Sequence, residues 1–363
     1  MFNHASYGLA TSGLLARADA VRRELEADPN VNLGDALLER LDEVLVRFCV
    51  DFGLDPACTA LTTSAADGAA ALQRSIPLSP GDVVVALDCE YSSVLRGWQR
   101  RCDEVGAQLR IVPVQFPLLE VDTLLDRMSD IAGERVAVLQ FSAITSSAAL
   151  QLPVGRLAAW GQQRGATVVV DAAHVPGHLD FDDWAGVDAI FGTVHKWIPV
   201  PRSVGLLWAT PELVDLVRPA TVSLTYDDPS LARRFAWPGT FDPAPRLCLP
   251  DALDVHRSWA DSGELDYCRA LAGHLSESLA RVGADPTATD ELLPPRMRAF
   301  VLPGIPLPEL RSRLLAADIR AWTGIHNERS SLIRFATQVY NDEQDVAVVV
   351  REVAAILSVD RSE

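Results

Sequence analysis

Short apolar runs rich in β-branched residues recur along the first two thirds of the chain. They are Val83–Leu87, Leu109–Val114, Val136–Phe141, Thr167–Val170, Val187–Phe191 and Val204–Trp208. Helical segments such as Val154–Gln163 lie between several of them. Because each run is apolar at nearly every position, both of its faces must be covered. The pattern therefore predicts an α/β fold, with a mostly parallel sheet between helices and a ligand site beyond the carboxyl ends of the strands.

The pattern changes twice along the chain. Residues 14–50 have the helical spacing of apolar positions, and an α+β pattern follows the Pro/Gly-rich segment Trp237–Pro245. We predict a large domain over 15–245 and a smaller C-terminal α+β domain over 246–363, joined by the N-terminal segment 1–14. No long linker is present, so the two domains should pack closely, with a site between them.

Charge and composition exclude several classes of function. With 32 basic and 49 acidic residues the net charge is −17, which would repel a nucleic-acid backbone. No apolar run is long enough to cross a membrane, and the first residues do not resemble a secretory signal. The six cysteines form no CxxC pair and none lies near histidine at metal-ligand spacing. We therefore expect a cytoplasmic protein with reduced core thiols and no metal site.

The chain contains a single lysine. Of its 32 basic residues, 31 are arginine and one is Lys196. A bias that converts lysine to arginine should spare a lysine whose task a guanidinium cannot perform. An amine can lose its proton and attack a carbonyl, whereas arginine stays charged. The composition therefore marks Lys196 as a candidate nucleophile.

An acid and this lysine follow two neighbouring apolar runs. Asp171 ends the run Val168–Val170, and Lys196 comes 25 residues later, after the next run. A buried carboxylate needs a cationic partner. This pair suits pyridoxal 5'-phosphate (PLP), because the acid can keep the pyridine nitrogen protonated and the lysine can hold the aldehyde as a Schiff base. A phosphate also needs free N–H groups at a helix start, and the turn Thr62–Gly68 before an apolar helix fits that need.

Several motifs resemble one family in order and spacing. They are Phe2–Gly8, Cys89–Tyr91, Asp171–His174, His195–Trp197, Trp237–Asp242 and Arg334–Asn341. Together they resemble class V aminotransferase-fold enzymes of fold type I, in the branch of isopenicillin N epimerase and cysteine desulfurase. The resemblance extends over essentially the whole chain. It implies PLP as cofactor, a large domain with a mostly parallel seven-stranded sheet, and a smaller C-terminal domain.

The resemblance also implies roles around the cofactor ring. Lys196 takes the position of the Schiff-base lysine and proton carrier at Cα, and Asp171 that of the partner of the pyridine nitrogen. His174 occurs where the family has His or Gln near the phenolic oxygen. Tyr91 takes the position of the residue that stacks on the ring and is a further catalytic candidate, with Ala173 against the opposite face.

The remaining implied roles concern the phosphate and the substrate. Ala65, Ala66 and Thr193 fall at phosphate positions of the family, and His195 precedes the lysine as it does in the family. Ser146 falls where desulfurases carry an asparagine near the cofactor and substrate.

Gly239 and Thr240 resemble the segment that reaches the phosphate in the other subunit of a homodimer. Arg334 matches the arginine that binds the substrate carboxylate. Asn3 and His326 are further substrate-binding candidates, the latter on a loop expected before the Arg334 strand.

Departures from the family pattern bear on the reaction. The stretch Trp322–Ser331 holds no cysteine, which removes the nucleophile of a cysteine desulfurase. Ala143 stands where related sequences often carry histidine, which indicates a reshaped pocket. Epimerisation needs acid–base groups on both faces of the cofactor, and Tyr91 is the only candidate opposite Lys196. Elimination needs only Lys196 and a leaving group. We therefore favour a β-eliminating C–S lyase on an S-substituted cysteine in natural-product biosynthesis. Epimerisation, decarboxylation and transamination remain as alternatives.

Overall fold

The computed structural model describes residues 1–133, 135–182 and 184–359. Seven strands form the larger of two sheets. They are β1 (Thr59–Thr62), β2 (Val83–Leu87), β3 (Gln108–Val112), β4 (Val138–Ser142), β5 (Thr167–Asp171), β6 (Ala189–Thr193) and β7 (Gly205–Ala209). Their order across the sheet is β1-β7-β6-β5-β4-β2-β3. The five strands β6, β5, β4, β2 and β3 run parallel to one another. Strand β7 is antiparallel to its two neighbours, β1 and β6. The predicted α/β fold with a mostly parallel seven-stranded sheet is confirmed.

Helices cover this sheet on both faces, as its apolar strands require. The helices of the first two hundred residues are α1 (His4–Tyr7), α2 (Ser12–Ala27), α3 (Pro29–Asn32), α4 (Asp35–Phe52), α5 (Ala65–Ser75), α6 (Ser92–Val105), α7 (Val121–Ala132) and α8 (Val154–Gln162). Leu124 and Leu157 of α7 and α8 pack in one core cluster, and Leu72 and Trp98 of α5 and α6 in the cluster on the other face. The helical stretch predicted over 14–50 is interrupted between α2 and α4, because Asp28 and Pro29 start a new helical turn.

Helices dominate the rest of the chain. They are α9 (Pro211–Val214), α10 (Leu231–Ala236), α11 (Ala244–Leu247), α12 (Leu249–Asp261), α13 (Glu264–Arg281), α14 (Leu307–Ala316) and α15 (Glu343–Val359). Short 3₁₀ turns cover Pro56–Cys58 and Asp290–Leu292. None of the helices described is long and apolar enough to cross a membrane. All six cysteines are free and buried, as expected of core thiols.

A second, antiparallel sheet contains four strands. They are β8 (Asp285–Pro286), β9 (Met297–Leu302), β10 (Trp322–Ile325) and β11 (Ser331–Ala336), in the order β10-β11-β9-β8. The prediction of a loop around His326 is wrong in part. Strands β10 and β11 pair directly as a hairpin, and His326 is the first residue of the turn between them. The predicted domain boundary at 245/246 falls inside α11 and stays a prediction.

The N-terminal segment lies between the two sheets. Asn3 pairs with Ala336 at the end of β11, and Arg202 donates to the carbonyl of Gly8 over 3.0 Å. Gly8 has φ +66, and a Cβ built on it would lie 1.8 Å from the carbonyl oxygen of His195. Only glycine lets the segment lie this close to the backbone beside Lys196.

Gly8→Ala should therefore destabilise the protein by about 3 kcal/mol, because it combines a backbone collision with a left-handed φ. Gly53→Ala is the matched control. Gly53 has φ +64 but open space around it, so only the conformational cost of about 1 kcal/mol applies. Urea unfolding of both variants measures the difference, and equal losses would refute the close approach.

A buried carboxyl joins the ends of β2 and β4. Glu90 is 6% exposed, and Ser142 donates to it from its backbone N–H over 2.9 Å and from its hydroxyl. Burial raises the pKa of Glu90 to about 8, and the negative charge of Asp171 adds to the rise. Glu90 therefore carries its proton at neutral pH in the folded protein.

The raised pKa of Glu90 should make stability fall as pH rises from about 4.5 to 8, because only the folded state keeps the proton over that range. Glu90→Gln mimics the protonated acid and removes this loss. Its unfolding free energy should match the unmodified protein near pH 5 and exceed it by on the order of 1 kcal/mol or more near pH 8. Glu328→Gln, at an exposed site, is the control. An advantage of Glu90→Gln that does not grow with pH would contradict the buried proton.

Candidate active site

The ends of two parallel strands bring Asp171 and Lys196 to the same edge of the large sheet. Asp171 is the last residue of β5 and pairs in register with Phe191 of β6, and Lys196 follows three residues after β6 ends. This edge is where open α/β sheets bind ligands. The placement brings together the two residues that the sequence singles out.

Asp171 is buried at this edge. Its side chain is 6% exposed, and its Oδ1 accepts a hydrogen bond of 2.7 Å from the backbone N–H of Ala173. Burial raises the pKa of Asp171 to about 6, while this hydrogen bond and the charge of Lys196 oppose the rise. The carboxylate is therefore held in one orientation and is available to pair with a cationic ring nitrogen.

Lys196 carries an amine that gives up its proton readily. Burial lowers the pKa of Lys196 to about 8; Arg334 lowers it further, and Asp171 opposes both effects. Its Nζ lies 3.2 Å from Nε2 of His174. A much larger fraction of this amine is neutral at pH 7 than of an exposed lysine, which is what nucleophilic attack on an aldehyde requires.

A buried guanidinium lies across from the amine. Arg334 is 1% exposed and donates to Asn3 Oδ1 over 3.2 Å and to the hydroxyls of Ser6 over 2.8 Å and Ser146 over 3.2 Å. Its Nε has no partner among the described residues, and no carboxylate there pairs with it. Burial lowers the pKa of Arg334 to about 9. An unpaired buried cation of this kind suits a carboxylate ligand.

The start of α5 offers N–H groups to an anion. Ser64 caps the helix by accepting from Asp67 N–H, and the N–H groups of Ala65 and Ala66 have no acceptor within the described chain. The Asp67 carboxylate is engaged by the backbone N–H and hydroxyl of Thr63, at 3.1 and 2.9 Å. The first turn therefore retains two free donors that favour a phosphate.

Three further predicted residues line the same strand ends. The hydroxyl of Thr193 donates to the carbonyl of Ala173 over 3.0 Å, and Nδ1 of His195 lies 3.0 Å from the carbonyl of Val204. These two bonds hold the backbone immediately before Lys196 against the loop after β5 and the start of β7.

Other predicted residues lie at the surface. Tyr91 is 53% exposed at the start of α6, and its hydroxyl has no hydrogen-bond partner in the described part of the chain. His326 is exposed, with its ring 5.9 Å from that of Phe116. Gly239 has open space around it and Thr240 is exposed. Within one chain these four residues do not join the cluster around Lys196.

Sequence reasoning assigned no role to Glu90, Ser6 or Trp197. Glu90 carries the same signal that identified Asp171, an acid just after a buried strand, and the charge of Asp171 contributes to the raised pKa of Glu90. Ser6 gives no sequence signal, because its contact with Arg334 joins residues 328 positions apart. Trp197 lies directly after Lys196 and donates to His174 over 3.4 Å.

The donor set fits PLP. The cofactor needs an amine for its aldehyde, an acid for its ring nitrogen and N–H groups for its phosphate. The structure offers the half-buried amine of Lys196, whose pKa is lowered, the oriented carboxylate of Asp171 and the free donors at the start of α5. The unsatisfied Nε of Arg334 adds a binding group for a carboxylate next to them.

Comparisons with known proteins agree with this geometry. The family model "Aminotransferase class-V" matches residues 59–238. An isopenicillin N epimerase of Streptomyces clavuligerus is 29% identical, over 77% of this chain and 74% of that enzyme. A probable L-cysteine desulfhydrase of Arabidopsis thaliana is 28% identical, over 69% of this chain and 57% of that protein.

A solved structure shares the fold over almost the entire length. The cystine C-S lyase C-DES, in complex with its reaction product cysteine persulfide, superimposes with a TM-score of 0.83 at 18% identity, over 98% of this chain and 97% of that chain. The architecture is therefore that of fold type I, and by its match to the family model the chain belongs to the class V aminotransferase family of PLP-dependent enzymes.

Proposed function

We propose that this PLP-dependent enzyme is a β-eliminating C–S lyase that acts on an S-substituted cysteine in natural-product biosynthesis. The observation that carries the proposal is that only one face of the cofactor site has a group suited to proton transfer among the described residues. One amine of lowered pKa, Lys196, lies half-buried at the strand ends, whereas the phenol of Tyr91 is exposed and unassisted.

Different residues would bind the cofactor and the amino-acid substrate. PLP, when bound, supplies an electron sink that stabilises negative charge at Cα of an amino acid. Lys196 would hold its aldehyde, Asp171 its ring nitrogen and the N–H groups of Ala65 and Ala66 its phosphate. Arg334 would take the carboxylate of the amino acid through its unpaired Nε, with Asn3 and Ser146 holding the guanidinium in place.

Proton transfer at Cα falls to Lys196. Once the amine of the substrate has displaced it from the aldehyde, the neutral amine of Lys196 would accept the Cα proton, and the C–S bond would break with its electron pair leaving on sulfur. The thiolate would take that proton from Lys196 and leave as a thiol, and water would hydrolyse the released three-carbon enamine to pyruvate and ammonia. One base on one face suffices for this sequence.

Epimerisation is the second candidate, favoured by the 29% identity to isopenicillin N epimerase. It requires a proton donor on the face opposite Lys196. Tyr91 is the candidate there, but no base lies within hydrogen-bond distance of its hydroxyl in the described chain, and an unassisted phenol is a weak acid and base near neutral pH. Elimination is supported by the names of a desulfhydrase relative and a C-S lyase structural neighbour. Decarboxylation and transamination would use the same Lys196.

We further propose a cytoplasmic homodimer that shares its active sites. Exposed Thr240 and the open space at Gly239 leave this segment free to reach a second copy. The apolar side chains of Val222 and Leu224, which are 77% and 91% exposed, lie in the loop before α10, the helix that leads into this segment. Six free buried cysteines support a reducing compartment.

Incubation with S-substituted cysteines in deuterated water separates the two reactions. The elimination proposal predicts pyruvate and a thiol in equal amounts, and no loss of stereochemical purity in the substrate that remains. Chiral chromatography with mass spectrometry measures both. The intact amino acid recovered with deuterium at Cα and both configurations present would overturn elimination and establish the epimerase. A Lys196→Ala variant, which lacks the proposed base, is the control and should form neither product.

A further inference from the structure

The indole next to the active lysine is held in one position. Trp197 is 0% exposed, and the ring of His178 stacks on it, with the ring centres 3.9 Å apart and an angle of 27° between the ring planes. The guanidinium of Arg296 lies 4.7 Å from the centre of the same ring, within cation–π distance. Such packing fixes the direction in which the indole N–H points.

That N–H determines the protonation pattern of His174. Trp197 donates to Nδ1 of His174 over 3.4 Å, and an indole can only donate. Nδ1 is therefore the unprotonated nitrogen. Burial keeps the pKa of His174 well below its usual value, and the charges of Lys196 and Arg334 lower it further, so the ring is neutral. A neutral imidazole with an unprotonated Nδ1 carries its proton on Nε2.

The proton on Nε2 faces the lysine. Nε2 of His174 lies 3.2 Å from Nζ of Lys196. An N–H on that nitrogen can bond Nζ only by donating to its lone pair, which an ammonium lacks. The hydrogen bond is therefore made only with the neutral amine.

We propose that Trp197 is a positioning residue that locks His174 as an Nε2–H donor and thereby favours the neutral, reactive form of Lys196. The proposal deepens the proposed function, since it names what prepares the lysine to take up the cofactor. It adds Trp197 to the residues on which the reaction depends, although the indole touches neither amine nor substrate.

The other groups that face Lys196 cannot replace this control. Asp171 favours the ammonium, and Arg334 opposes it through its fixed positive charge. His4, buried on α1, has Nδ1 3.0 Å from the Tyr340 hydroxyl and Nε2 2.9 Å from the Gln338 amide nitrogen, and burial lowers its pKa to about 3, so it stays neutral. Of the groups around the amine, His174 is the one that could change from donor to acceptor by changing tautomer.

The single lysine makes the test direct. An amine-reactive acylating reagent can modify only Lys196 and the N-terminal amine, and mass spectrometry of peptides separates the two. The rate of Lys196 modification against pH, in the full-length chain freed of cofactor, gives the apparent pKa of the amine. Circular dichroism confirms that each variant is folded.

Trp197→Phe removes the indole N–H and keeps an aromatic ring. His174 is then free to adopt the other tautomer and accept from the ammonium, so the apparent pKa of Lys196 should rise by about one pH unit. Trp160→Phe is the matched control, because its indole N–H donates to Ser129 over 3.0 Å away from the strand ends. It should leave the pKa of Lys196 unchanged. An unchanged pKa in Trp197→Phe would overturn the proposal.

A second variant separates tautomer control from a general packing effect. In His174→Leu the side chain can neither donate nor accept a hydrogen bond, so adding Trp197→Phe should cause no further shift in the pKa of Lys196. The same shift with and without His174 would show that the indole acts through packing and would overturn the proposal.

The unmodified protein provides a test that needs no substitution at Trp197. Nitrogen NMR of histidine-labelled holoenzyme should show Nδ1 of His174 unprotonated and Nε2 protonated, with His174→Gln used to assign the signals. A protonated Nδ1 would overturn the proposal. None of these measurements depends on the reaction catalysed. The role of Trp197 can therefore be refuted while elimination is confirmed, and elimination can be refuted while the role of Trp197 is confirmed.

Discussion

The site depends on the burial of one amine among opposed charges. Lys196 is the only lysine of the chain, and burial with Arg334 nearby favours its neutral form, whereas Asp171 favours the charged form. No pair among these groups forms a direct salt bridge in the described chain. The charges are therefore left for ligands: the acid for a protonated ring, the guanidinium for a carboxylate and the amine for an aldehyde.

The geometry behind this balance comes from three distant parts of the chain. The parallel strands β5 and β6 place the acid and the amine at one edge, β11 of the small sheet supplies the guanidinium, and the N-terminal segment lies between them. Gly8 lets that segment contact the backbone beside Lys196, and Asn3 and Ser6 of the same segment hold Arg334. A substitution in the N-terminal segment should therefore affect both the position of Lys196 and the position of Arg334.

Much of the fold could be predicted from sequence, because runs such as Val168–Val170 have no stable place except inside a covered sheet. The pair of Asp171 and Lys196 was also accessible, since residue type and strand position both pointed to it. The contact of Asn3 with Arg334 was not, because it joins residues 331 positions apart. The hairpin at His326 was missed because the short strand β10, with a glycine inside it, gives a weak strand pattern. The exposure of Tyr91 depends on what covers it, which sequence periodicity does not encode.

The central claim is that the lone lysine carries the cofactor. Borohydride reduction of the holoenzyme, followed by proteolysis and mass spectrometry, tests it most directly because reduction makes the bond between amine and aldehyde permanent. The account predicts a pyridoxyl phosphate adduct on the peptide that contains Lys196 and on no other. Bound PLP that reduces without marking Lys196, or that marks only the N-terminal amine, would contradict it.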